Sequence, residues 1–109
     1  MKITNKQRYE SVSEACNYKN IDLYVSDMAL STIWDDPEDS DIPADRIAWL
    51  SDIWHVVNES TRWLRQKSGM TQAAFAKRFC IPLRTVENWE GNVSSPPVYV
   101  KLLIYDALQ

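Results

Sequence analysis

Residues 70–92, MTQAAFAKRFCIPLRTVENWEGN, space their large, small and polar side chains as two short helices joined by a tight turn. Phe75, Phe79, Ile81, Val86 and Trp89 fall where two steeply crossing helices gather apolar groups onto one inner surface. Ala76 leaves room where the two backbones approach. Thr71 suits the N-cap of the first helix, its hydroxyl accepting a hydrogen bond from an otherwise orphaned amide in the first turn. Gly69, just before it, suits the left-handed end of an earlier helix. The turn falls at Cys80 to Pro82. Because proline is tolerated in a first helical turn, the second helix is expected from about Pro82 to Glu90.

Outward from this pair, the 109 residues, 45% of them apolar, make one domain or a small domain with an appendage. The expected fold class is all-α, a compact helical bundle. The net charge of −3 divides unevenly: residues 1–60 hold five Lys/Arg against twelve Asp/Glu, and residues 61–109 hold seven against three. A basic half is what phosphate binding requires, although a solvated face unrelated to nucleic acid accounts for the charge equally well. Cys16 and Cys80 have neither zinc-ligand nor disulfide-framework spacing, and no signal-peptide pattern opens the chain. A cytoplasmic location is expected. No apolar run approaches the ~20 residues that span a bilayer, so no membrane partner is expected.

Taken in order, Tyr9, Val12 and Cys16 recur at steps of three and four and predict a first helix over about Asn5 to Asn17. Asn20 reads as an N-cap for a helix whose buried stripe is Ile21, Tyr24, Val25 and Met28. Ile33 and Trp34 are expected to tuck into the core. Residues 35–45, DDPEDSDIPAD, hold six acidic residues and two prolines, a loop that is either a solvated connector or an acidic docking segment. Ile47, Leu50, Ile53, Trp54, Val57 and Leu64 predict one long helix from about Ala44 to Lys67, bent near Ser60. His55 has no second nitrogen or thiol at ligand spacing and reads as a packing or surface residue. After Pro96-Pro97, the last helix is apolar nearly all round. Tyr99, Leu102, Leu103, Ile104 and Tyr105 cannot all face one core, so a second face must meet the N-terminal helices or another subunit.

Residues from about 58 to 108 resemble the Xre/Cro/lambda-repressor family of helix-turn-helix DNA-binding domains. The likeness rests on Gln72 at the first position of the positioning helix, on Ala76 at its small position, and on Ile81, Val86 and the Trp89-Glu90 pair. Arg65 lies seven residues before Gln72, where the family places an arginine that pairs with the acid after the Trp or Leu. The resemblance thus implies an Arg65–Glu90 ion pair. Cys80 and Asn92 stand where the family prefers glycine, and a left-handed backbone at Cys80 would cost about 1 kcal/mol. The loop Val93 to Ser95 offers no Lys or Arg, where relatives often hold phosphates.

The resemblance implies a sequence-specific binder of double-stranded DNA, a dimeric repressor on an inverted-repeat operator. Leu83, Arg84, Glu87 and Asn88 would then read bases, and Lys67, Thr71, Gln72, Lys77 and Arg78 would contact phosphates. On this reading residues 58–109 form the helix-turn-helix domain. Residues 1–57 form an acidic helical region for dimerisation or for a toxin or other protein, as in antitoxins. The alternative is a protein-interaction module whose acidic surface binds or inhibits a nucleic-acid-binding protein. No catalytic constellation, metal set or cofactor motif is present in the sequence, so no enzyme and no cofactor are expected.

Overall fold

Asn20, Ser60 and Thr71 each turn the chain into a helix by accepting a backbone amide, from Leu23 at 3.1 Å, Arg62 at 3.3 Å and Ala74 at 3.1 Å. Thr4 and Ser31 do the same elsewhere in the structure, a computed structural model that describes residues 1–38 and 40–109. The described residues contain seven α-helices and no strand: α1 (Asn5–Ala15), α2 (Ile21–Ala29), α3 (Ala44–Asn58), α4 (Thr61–Ser68), α5 (Gln72–Arg78), α6 (Leu83–Glu90) and α7 (Val98–Ala107). A single 3-10 turn spans Thr32–Trp34. The chain divides into two compact units, Met1–Asn58 and Glu59–Gln109. No helix among the described residues is long and apolar enough to cross a membrane.

In the first unit α3 packs against both α1 and α2. Its inner stripe is Arg46, Leu50, Ile53 and Val56, at the three- and four-residue steps of one helical face. Thr4 and Gln7 form a reciprocal capping box at the start of α1, and the Gln7 amide also donates to the Ile33 carbonyl at 3.0 Å. The buried face of α1 differs from the expected Tyr9, Val12 and Cys16 stripe. Tyr9 is 75% exposed and Cys16 is exposed, whereas Ser11 and Ala15 are buried. Small side chains let α1 approach closely, and the vacated space is taken by Tyr24, whose hydroxyl donates to the Ser11 carbonyl at 2.7 Å.

Arg46 is the polar centre of this unit. Its guanidinium lies 4.5 Å from the Trp34 ring centroid, donates to the Ala29 carbonyl at 3.2 Å, and forks onto Asp36 at 2.6 and 2.7 Å. Trp34 in turn donates its indole N–H to the Met28 carbonyl at 2.8 Å. The acidic stretch 35–45 is therefore tied down through Asp36 near its start; Asp39 lies outside the described residues.

The expected single helix from Ala44 to Lys67 is two. The α3 helix ends at Asn58, whose side-chain amide donates to the carbonyls of Trp54 and Ala15, both at 3.0 Å, and Ser60 then starts α4 in extended conformation (φ −71°, ψ 168°). Asn and Ser side chains compete with the helix for backbone partners. Two of them within three residues outweigh the apolar periodicity that continues across the break.

In the second unit α5 packs on α6, and α4 meets α6 and α7. Leu64, Phe75, Ala76, Val86, Ile104 and Tyr105 form its core. Three successive helices end in the same left-handed turn, at Gly69 (φ 75°), Cys80 (φ 54°) and Asn92 (φ 59°). Each closes with the two bonds of a Schellman motif, the long one being Met70 to Arg65 (3.3 Å), Ile81 to Ala76 (2.9 Å) and Val93 to Asn88 (2.9 Å). The last helix turns Lys101, Ile104 and Tyr105 inward and leaves Tyr99 and Leu103 exposed. Lys101 donates to the Glu59 carbonyl at 3.1 Å, and burial pushes its ammonium below the ordinary lysine pKa.

Candidate nucleic-acid interface

The α6 helix begins at Leu83 after Pro82, with no side chain capping its first amides, and buries Val86 completely. Trp89, one turn on, is half-buried. The side of the helix away from Val86 carries exposed Arg84 and half-buried Asn88, flanked by exposed Glu87, while Leu83, 45% exposed, opens the helix nearer the Val86 side. Arg84, Glu87 and Asn88 stand at i, i+3 and i+4, neighbours along one face of the helix. The Asn88 carbonyl accepts the amides of Val93 and Ser94.

What holds α6 in place is a polar cluster around Glu90, whose side chain is only 2% exposed. Arg65 of α4 reaches it through Nε to Oε2 at 2.7 Å and Nη2 to Oε1 at 2.8 Å. Gln72, the first residue of α5, donates Nε2 to Oε1 at 3.3 Å, and Arg62 of α4 donates Nε to the same oxygen at 3.3 Å. Three helices are thereby fixed on one carboxylate. The Arg65 hydrogen bonds hold the Glu90 carboxyl below the ordinary carboxylate range, with Gln72 and Arg62 adding to the effect while burial opposes it. Arg65 is raised in return, chiefly by its hydrogen bonds to Glu90. It also donates Nη1 to the Met70 carbonyl at 3.0 Å, bracing the turn into α5.

The remaining candidate residues lie in the same unit in several situations. Lys77 is exposed on α5. Thr71 uses its hydroxyl oxygen as the α5 cap. The Lys67 ammonium sits 5.1 Å from the Trp63 ring centroid. Arg78 is exposed as a residue, yet its Nη2 donates to the Ala107 carbonyl at 2.8 Å, joining α5 to the end of α7. Gln72 spends its amide N–H on Glu90, so it braces α6 from the start of α5. Arg62 escapes a reading by motif alone; its sequence signal is a second cation three residues before Arg65, on the same face of α4. The loop after α6 carries Val93, Ser94 and Ser95, all exposed and uncharged.

Among the described residues no three His, Cys, Asp or Glu side chains converge to hold a metal ion. His55 stacks edge-on to Trp54, with ring centroids 5.3 Å apart. Cys16 and Cys80 are free, exposed thiols. Comparison with models of known protein families, with curated proteins and with solved structures finds no match to this chain.

Proposed function

We propose that the chain is a sequence-specific regulator that binds double-stranded DNA through a helix-turn-helix of the Xre/Cro/lambda-repressor type. It acts as a dimeric repressor on an inverted-repeat operator, with the acidic N-terminal unit engaging a toxin or another protein. The observation that carries this reading is the Glu90 cluster. It uses Arg65, Arg62 and Gln72 to hold α6 against α4 and α5, while leaving Leu83, Arg84 and Glu87 exposed. A reading helix needs such a mount, because base recognition depends on presenting side chains at fixed spacing to the major groove.

In this mechanism Arg84 pairs with guanine O6 and N7, Asn88 with adenine N6 and N7, Leu83 packs on a thymine methyl, and Glu87 accepts from cytosine N4. Lys77, Lys67 and Thr71 contact phosphates, Arg78 does so with the guanidinium donors that its Ala107 bond leaves over, and Gln72 supports α6 beside the backbone. With no cation in the loop 93–95, one subunit grips phosphate weakly. Two subunits on half-sites about one helical turn apart compensate. The exposed Tyr99 and Leu103 of α7 supply the apolar surface for that pairing.

The uncharged loop and the acidic N-terminal unit favour a second reading, a protein-interaction module that presents negative charge to a nucleic-acid-binding protein. Selection from a random genomic-fragment library, repeated over a range of salt concentrations, separates the two. Enrichment of an inverted repeat, with affinity falling steeply as salt rises, supports the regulator. Absence of any enrichment at low salt removes it in favour of the interaction module.

A further inference from the structure

We propose that an open apolar groove between α2 and α3 docks an amphipathic helix of a partner protein, apolar on one face and flanked by lysine and arginine. The groove has a cavity volume of about 490 Å³ and is lined by Ile21, Val25, Leu30, Ile42 and Ile47, with Ser26 and Ser51 also in its wall. Ile21, Val25 and Ala29 follow one another at i, i+4 and i+8, so the trough runs for two turns of α2, about 12 Å. That is the span of the i, i+4, i+7 anchors by which a helix seats in a groove. Leu30 is 74% exposed and Ile47 is also exposed, contiguous apolar surface of the kind that marks interaction sites.

The charge around the groove selects the occupant. Asp22 of α2 lines the groove, and α2 carries no cation; Lys19 lies before its start. Asp41 is exposed next to the lining residue Ile42, Asp35 and Glu38 are exposed earlier in the same acidic stretch, and the one arginine of α3, Arg46, is turned inward onto Asp36. A cationic helix is attracted and oriented by this border, and an acidic one is repelled. The exposed apolar face of α7 in a second copy is not such a helix: its Lys101 is buried and its Asp106 is exposed.

This inference rests on reading the N-terminal unit as the partner-binding part and stands apart from whether α6 enters DNA. Its test is fluorescence anisotropy with the full chain and three labelled 16-residue peptides. One has leucines at i, i+3, i+4, i+7 and i+11 among lysines, one is a scramble of the same composition, and one replaces the lysines by glutamates. The patterned lysine peptide is expected to bind at least about tenfold more tightly than either control. Ser26→Lys, and separately Leu30→Lys at its exposed position, are each expected to weaken it by a similar factor without lowering the melting temperature, and without altering any DNA enrichment. Equal binding of the scramble or the glutamate peptide, or binding unchanged in both variants, overturns the proposal. Conversion of a dimer to a monomer by Ser26→Lys also overturns it, by making the groove a self-interface.

Discussion

Arg65 closes on Glu90 with two hydrogen bonds, at 2.7 and 2.8 Å, joining the middle of α4 to the last residue of α6. The carboxylate is nearly inaccessible to water, so removing its partner leaves a buried charge. Arg65→Met is expected to cost about 3 kcal/mol in urea unfolding, the low end for breaking a buried pair, because Arg62 and Gln72 still reach Glu90. Since the folded carboxyl is depressed, the stabilisation it brings is fully present above the ordinary glutamate value near 4.3 and is lost as pH falls through the lower folded value. Glu90→Gln should flatten that acid limb; an unchanged limb would show that Glu90 is not its source.

The three left-handed turns respond differently to substitution. A Cβ added at Gly69 would meet no atom within 4 Å, so Gly69→Ala carries only the backbone penalty, about 1 kcal/mol. Cys80→Gly relieves a comparable strain and gives back part of it to the freer unfolded chain, for a net gain below about 1 kcal/mol. Cys80→Val should be destabilising. Thermal denaturation that ranks Cys80→Val above Cys80→Gly would contradict the assigned turn.

Asp36 and Arg46 should be coupled although one is exposed and the other buried. A double-mutant cycle with Asp36→Ala and Arg46→Met is expected to give a favourable coupling. The Arg46 hydrogen bonds hold the Asp36 carboxyl below its ordinary value, so the coupling should persist above the usual aspartate range and vanish as pH drops through the folded value. Coupling that stays constant down to pH 2 would assign it to packing on Trp34 instead.

On the proposed operator, Arg84→Ala should lose about 1 to 3 kcal/mol of discrimination at a single base position. Lys77→Ala should weaken all sequences evenly and reduce the salt slope by about one. Competition binding against singly substituted operators distinguishes the two. An even loss for Arg84→Ala would make it a phosphate contact.

Leu103 is 66% exposed on α7, one turn from exposed Tyr99. Leu103→Glu should convert the proposed dimer to a monomer in sedimentation at micromolar concentration while leaving the melting temperature of the monomer unchanged. A dimer that survives both Leu103→Glu and Tyr99→Glu would place the interface elsewhere.

Several of these positions are legible from local chemistry. Asn20 and Thr71 cap α2 and α5 because a short polar side chain preceding an apolar stripe has a backbone amide within reach, whatever lies elsewhere in the fold. Gly69 and Asn92 end helices for an equally local reason, their tolerance of positive φ. The 25-residue separation between Arg65 and Glu90 is beyond periodicity, and the two are singled out only through the family resemblance. The Ala107 contact of Arg78 carries no such signal, and Arg62 has only its place three residues before Arg65. Each depends on which helix end arrives within reach of a long side chain.

Helical character, the starting points of most helices and the residues that turn the chain between them follow from the order of amino acids, because caps and left-handed turns are settled within four or five residues. Which faces are buried was settled only when the helices came together. Ser11 and Ala15 displace Tyr9 and Cys16 from the inner face of α1, Asn58 and Ser60 break an apolar stripe that would otherwise continue, and Lys101 turns inward on an apolar helix. In each case a close approach or a distant carbonyl outweighs side-chain hydrophobicity, and periodicity along the chain contains neither.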